Sequence, residues 1–305
     1  MIIGSFAGSL ISFRGSLMSS MIKQGHQVIA CVPDAGPGIC SVLEKMGVEY
    51  INVPVQRTGL NPFQDVMLLY RFWDLFRKLN PDILLSYTVK PVIYASLAAW
   101  CAGVENRFAM ITGLGYAFVG KGLKSRLVGT LVQNLYRLAL GRCRRVFFQN
   151  PDDKGLFCRL GLVAEKKAVL INGSGVDLDV YQPAPLPERV SFLLIARLLG
   201  DKGVREYAEA AQRVRAEYPE VLFRLAGWLD PNPACISKAE LQQWVDQGRV
   251  EFLGRLDDIR PAMADCSVYV LPSYREGTPR TVLEAMAMGR PVITTDAPGC
   301  RETVN

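Results

Sequence analysis

Leu271-Pro272-Ser273-Tyr274-Arg275-Glu276-Gly277-Thr278-Pro279-Arg280-Thr281-Val282-Leu283-Glu284-Ala285-Met286-Ala287-Met288-Gly289 reads as a strand end, a loop, a helix and a glycine stop. A further strand, Pro291 to Thr295, follows at once. Such alternation argues for a parallel sheet wound with helices. Outward from this stretch, Val190 to Ile195, Leu222 to Ala226, Val250 to Leu253 and Val268 to Leu271 carry the pattern through the C-terminal half. In the N-terminal half, Met1 to Phe6, Gln27 to Val32, Glu49 to Val53, Ile83 to Ser86, Val146 to Gln149 and Ala168 to Ile171 repeat it. Between the halves, Gln182-Pro183-Ala184-Pro185-Leu186-Pro187 can continue neither a helix nor a strand, so the division is expected there. The expected fold is therefore α/β, with two doubly wound Rossmann-like domains, 1–183 and 184–305, facing across a cleft. The chain stops at Asn305 directly after a strand and loop, so the second domain is expected to be incomplete and the chain a fragment.

Composition narrows the classes. With 305 residues, 50% hydrophobic and 21% charged, the chain is a folded globular protein long enough for two domains. No cationic stretch precedes Met1 to Phe6, which reads as a strand rather than a leader and implies a cytosolic location. The longest uncharged run, Pro91 to Val104, falls short of the about 20 residues that a helix needs to cross a bilayer. Eight cysteines without a C-x-x-C pair read as reduced thiols, many of them in apolar segments. The single histidine, His26, cannot assemble a histidine metal site, and no metal or cofactor is expected.

Charge is unevenly shared. Through Pro183 there are 20 Lys and Arg against 12 Asp and Glu, and beyond it 15 against 17. Asn106 to Pro151 holds no acid but carries Arg107, Lys121, Lys124, Arg126, Arg137, Arg142, Arg144 and Arg145, which suits an anionic partner. Only Tyr136 interrupts the aliphatics from Lys121 to Arg145, so the stacking platform of a nucleic-acid binder is missing. A dinucleotide-dependent oxidoreductase is disfavoured because no G-x-G-x-x-G is followed by an acid about 20 residues on.

In open α/β sheets ligands bind just beyond strand ends, where helix N-termini point free N–H groups outward. Ile195-Ala196-Arg197-Leu198-Leu199-Gly200-Asp201-Lys202-Gly203 is such a place. An Arg fork and a mobile Lys at a helix start suit a diphosphate, although a solvated basic loop has the same composition. In the opening stretch Glu276 falls in the loop and Glu284 in the helix, spaced to hold hydroxyl pairs of two different rings. Acids decorating a helix start account for one of them but not both.

Together these segments resemble the large retaining glycosyltransferase family 4, also called group 1, of the GT-B architecture. The family's R-x4-K pair is met by Arg197 and Lys202, and its E-x7-E pair by Glu276 and Glu284. Met288-Gly289-Arg290-Pro291-Val292-Ile293, Phe252-Leu253-Gly254, Ala297 to Glu302 and Asn172-Gly173-Ser174-Gly175-Val176-Asp177 extend the resemblance over nearly the whole chain. It implies that Arg197 and Lys202 stabilise a departing nucleotide diphosphate, that Glu276 holds the donor sugar and Glu284 the ribose, and that Gly277 and Thr278 line the donor site. Two fixed cations in a dry site offset the charge growing on the leaving phosphate without a metal. The implied donor is a UDP-sugar.

Gly4-Ser5-Phe6-Ala7-Gly8-Ser9-Leu10 looks like the family's glycine loop, with Gly8 a donor-binding candidate. Ser86-Tyr87-Thr88-Val89-Lys90-Pro91 and Thr112-Gly113-Leu114-Gly115-Tyr116 resemble a subgroup that extends polyprenyl-diphosphate-linked oligosaccharides or capsule and O-antigen units with N-acetylhexosamines. A lipid-linked saccharide acceptor is implied, with Lys90 as a phosphate contact or a surface lysine. Pro62 to Leu79 interleaves large apolar residues with Arg71, Arg77 and Lys78, so it either lies on an anionic membrane, peripherally on its inner face, or covers the sheet. Asp177-Leu178-Asp179 imitates a metal-binding D-x-D pair but sits where the family carries a plain turn. The rival readings are another GT-B enzyme, such as a sugar-nucleotide epimerase, and a non-catalytic partner subunit.

Overall fold

The computed structural model describes residues 1–56, 61–114, 123–230, 232 and 234–304, with 123–126 described by backbone only. Gly115, Tyr116 and Lys121, and the side chains of Lys124 and Arg126, lie outside the described residues. Two units form, Met1–Ile171 and Asn172–Asn305.

In the first unit, strands β1 (Ile2–Ile3), β2 (Val28–Val32), β3 (Val48–Asn52), β4 (Ile83–Tyr87), β5 (Asn106–Ile111), β6 (Arg145–Phe148) and β7 (Ala168–Leu170) make a sheet in the order β3-β2-β1-β4-β5-β6-β7. Every pairing in it is parallel. Between the strands run α1 (Gly8–Lys23), α2 (Pro37–Lys45), α3 (Pro62–Leu79), α4 (Ser96–Cys101), α5 (Leu123–Gly141) and α6 (Pro151–Arg159), α4 being led in by a π-helical turn, Pro91–Ala95. Strand order runs one way from β1 to β3 and the other from β4 to β7. Right-handed crossovers therefore put α1 and α2 on one face and α3 to α6 on the other. The buried clusters agree: Leu10, Met18 and Leu43 pack together, whereas Phe72 and Phe76 pack with Ala95 and Ala98.

The second unit has β8 (Ser191–Ile195), β9 (Leu222–Ala226), β10 (Glu251–Gly254), β11 (Val268–Leu271) and β12 (Val292–Thr294), in the order β10-β9-β8-β11-β12 and again all parallel. Its helices are α7 (Val204–Glu217), α8 (Lys238–Asp246), α9 (Arg260–Ala264) and α10 (Arg280–Ala287). Both units are thus doubly wound, as the alternation of the sequence requires.

The glycine stop of the opening stretch is a Schellman cap. Gly289 takes φ 75°, its N–H donates to Met286 O at 3.0 Å, and the Arg290 N–H donates to Ala285 O at 2.9 Å. Arg290 itself is buried, and its guanidinium donates to the carbonyls of Ala264, Cys266, Met288, Ala184 and Pro185. Those bonds tie the proline-rich segment to the second unit. The expected boundary lay at the proline-rich segment, after residue 183, but the structure divides the chain between Ile171 and Asn172. Residues 172–183 go with the second unit because Tyr181 hydrogen-bonds to Glu284 and Gly173 lies against the Thr278 side chain.

Candidate active site

The order of the second sheet reverses between β8 and β11, and the loops that follow these two strands carry the residues singled out above. After β8 the chain runs through Arg197 into a 3-10 turn, Gly200–Lys202, and enters α7 through Gly203. Gly203 has φ 70°, and a methyl group on it would overlap the Pro272 carbonyl oxygen. The absence of a side chain thus lets the Lys202 turn rest directly on the loop after β11.

That approach brings two of the expected residues together. Lys202 Nζ donates to Glu276 Oε1 at 2.5 Å, and Ser273 Oγ donates to the same oxygen at 2.8 Å. Both charged side chains are mostly buried, at 14% and 16% exposure. A third loop, after β12, steadies the arrangement. Glu276 N donates to Pro298 O at 2.9 Å, and Gly299, at φ 83°, leaves no room for a methyl beside the Glu276 carbonyl. Thr295 Oγ1 donates to Ser273 O. Gly277 is buried in the same loop, and Thr278 packs its side chain over Gly173.

Arg197 keeps a third of its side chain exposed and donates through Nη1 to Asp230 Oδ2 at 3.4 Å, on the loop after β9. Asp230 is buried and fixed from its other side, since Oδ1 accepts from Asn232 N at 3.0 Å. A carboxylate so held orients the guanidinium, leaving further N–H donors of its fork for an anion.

Glu284 stands apart from Glu276, on the buried face of α10. Arg280 Nε pairs with its Oε1 at 2.8 Å and Tyr181 hydrogen-bonds to it. Burial pushes the Glu284 carboxyl up, against the opposing pull of Arg280 and Tyr181. The Tyr181 phenol is pushed up to about 12, by burial first and by the Glu284 charge second. Asp230 and Tyr181 were not singled out in the sequence. Asp230 obeys the strand-end rule and was open to discovery that way, whereas nothing in the sequence around Tyr181 points to Glu284.

The remaining candidates lie in the first unit. Gly8 opens α1 directly after β1, at that unit's own reversal between β1 and β4. Across the reversal Thr88 is held at φ 68°, a strained conformation for a β-branched residue. Lys90 proves to be a brace. Its Nζ lies 2.7 Å from Asp65 Oδ1 with both side chains about nine-tenths buried, so a phosphate would have to displace Asp65 to reach it. Asp177 Oδ1 accepts from Asp179 N at 2.9 Å, the plain turn expected for that pair.

Residues 189–305 match the family described as glycosyl transferases group 1, and residues 13–173 match the glycosyl transferase 4-like domain. The chain belongs to this glycosyltransferase family. The enzyme is 30% identical over 316 residues to N,N'-diacetylbacillosaminyl-diphospho-undecaprenol alpha-1,3-N-acetylgalactosaminyltransferase of Campylobacter jejuni, covering 99% of this chain and 81% of that protein. It is 26% identical over 265 residues to UDP-Gal:alpha-D-GlcNAc-diphosphoundecaprenol alpha-1,3-galactosyltransferase of Escherichia coli, covering 81% of this chain and 66% of that protein. Among solved structures, the Anabaena protein HepE in complex with UDP and glucose superposes with a TM-score of 0.75 at 17% identity, covering 98% of this chain and 80% of that one. The glycosyltransferase thus shares the GT-B fold of two Rossmann-like units.

Proposed function

We propose that this glycosyltransferase moves a hexose or N-acetylhexosamine from a UDP-sugar to a saccharide carried on a polyprenyl diphosphate, with retention of anomeric configuration, at the inner face of the cell membrane. The observation that carries the donor half of this reading is the meeting of Lys202 and Glu276 at 2.5 Å between the loops after β8 and β11. A diphosphate docking there competes with Glu276 for the Lys202 ammonium and draws on the free donors of Arg197. Glu276, released toward the sugar, accepts hydrogen bonds from its hydroxyls and faces the positive charge that develops at its anomeric carbon. In this reading Glu284, hydrogen-bonded by Tyr181, accepts from the ribose hydroxyls. As the bond from the anomeric carbon to the β-phosphate oxygen breaks, the electron pair leaves with UDP. The acceptor oxygen forms the new bond, and its proton goes to the departing phosphate. Two fixed cations stabilise the charge growing on that phosphate, the kind of preorganised contribution whose loss costs about 10²–10³ in rate per donor.

The acceptor half is supported by relatives whose names specify undecaprenyl-diphosphate-linked substrates. The assay is transfer from a panel of UDP-sugars to a polyprenyl-diphosphate-linked saccharide, with product mass read by mass spectrometry and configuration by NMR. An acceptor heavier by one sugar, with the configuration of the donor kept, is the expected product. Inversion would overturn the retaining mechanism, and transfer only to a free sugar would overturn the lipid-linked acceptor.

A further inference from the structure

Helix α3 begins at Asn61, whose side chain accepts from Gln64 N, and ends at Asn80 in a left-handed conformation. It buries Leu68, Phe72 and Phe76 against the sheet. On the opposite side Phe63, Val66, Met67, Tyr70 and Trp73 form a continuous row about 15 Å long, with Phe63 75% and Val66 67% exposed. Scattered exposed apolar residues are ordinary, but a contiguous row of five large ones marks a contact surface. The rings of Tyr70 and Trp73 lie 5.8 Å apart at its C-terminal end, and such rings settle at membrane–water boundaries. Arg71, Arg77 and Lys78 are exposed on the same side of the helix, Lys78 being paired with Asp74 at 2.7 Å.

A second row lies in the same layer. Helix α5 exposes Leu127, Leu131 and Leu138, and both α3 and α5 pack against the π-helical turn Pro91–Ala95. The whole unit is basic, with 20 Lys and Arg against 10 Asp and Glu through Ile171. A second copy of the chain seated on this layer would oppose like charges, whereas an anionic leaflet neutralises them.

We propose that the exposed rows of α3 and α5 form a docking surface for an anionic lipid leaflet. The inference rests on the reading that the acceptor is lipid-linked, and it assigns to these two helices the task of holding the enzyme where such acceptors reside.

Co-sedimentation with vesicles tests it, using mixed phosphatidylglycerol and phosphatidylcholine against phosphatidylcholine alone. The wild-type protein is expected to bind the anionic vesicles, less so as salt is added. Phe63→Ser combined with Tyr70→Ser is expected to lower that partitioning about tenfold or more, with the melting temperature and UDP binding unchanged. Undiminished binding by the double variant would move the surface elsewhere and leave the proposed transfer intact. Failure of the wild type to bind either vesicle would overturn membrane docking, while the transfer assay still judges the reaction. A dimer that the double variant dissociates would make these rows an interface between copies and would equally overturn the proposal.

Discussion

Lys202 and Glu276 are 74 residues apart in the chain and 2.5 Å apart in space, a cation and a carboxylate from loops on two different strands. Their pairing places an ammonium suited to phosphate beside a carboxylate suited to sugar hydroxyls.

Replacement of the cation is expected to act on donor affinity first. Lys202→Ala removes the ammonium that a diphosphate takes up, so UDP binding measured by calorimetry is expected to weaken by about tenfold or more. Glu276→Gln keeps the shape and the ammonium and is expected to hold UDP while losing most turnover. Equal UDP affinity in wild type and Lys202→Ala would remove Lys202 from the phosphate site.

Glu284, proposed to hold the ribose, is expected to give donor binding a pH dependence whose sign follows from its burial. Its carboxyl is raised, so the stability it contributes is fully present below the unfolded value and is lost as pH rises through the folded one. In the proposed reading donor binding is expected to run the other way, because only an ionised carboxylate accepts from both ribose hydroxyls, so UDP affinity is expected to fall as pH drops through the raised value. The Tyr181 hydroxyl favours the ionised form, so Tyr181→Phe is expected to move this acid limb to higher pH. Calorimetric titrations of both proteins across the acid range check this, and coincident limbs would contradict it.

Much of this arrangement was legible in the sequence, and the parts that were not share a physical reason. Strands Leu222–Ala226 and Val268–Leu271 were read to the residue, because each is a short, mainly apolar run closed by glycine or proline. Asn106–Ile111 was not named as a strand, since it opens on polar Asn106 and Arg107 and lacks alternation. The motif residues were legible as local patterns at strand ends. Their partners Asp230 and Tyr181 come from other loops, and contact across a fold leaves no mark at any fixed spacing. Lys90 read as a phosphate contact or a surface lysine, because Asp65, its buried counter-ion, is 25 residues away.

Arg290 is expected to be a stability residue. Arg290→Ala leaves several buried carbonyls without their donor and is expected to cost about 3 kcal/mol or more. Urea unfolding followed by fluorescence measures this, and a loss within experimental error would show that those carbonyls find other donors.

Gly203 joins the Lys202 turn to the loop that carries Glu276. At φ 70°, and with the Pro272 carbonyl in the way, Gly203→Ala is expected to cost about 1–3 kcal/mol and to push the two loops apart. Thermal melts read the first effect and UDP calorimetry the second. An alanine variant with wild-type values in both would mean that the close approach is not needed.

The most direct test of donor chemistry by Lys202 and Glu276 is the rate of sugar transfer by wild type, Lys202→Ala and Glu276→Ala under one set of conditions, with each protein confirmed as folded by its melt. Both variants are expected to lose about 10²-fold or more in turnover. Wild-type rates in either variant would contradict the assignment of the site.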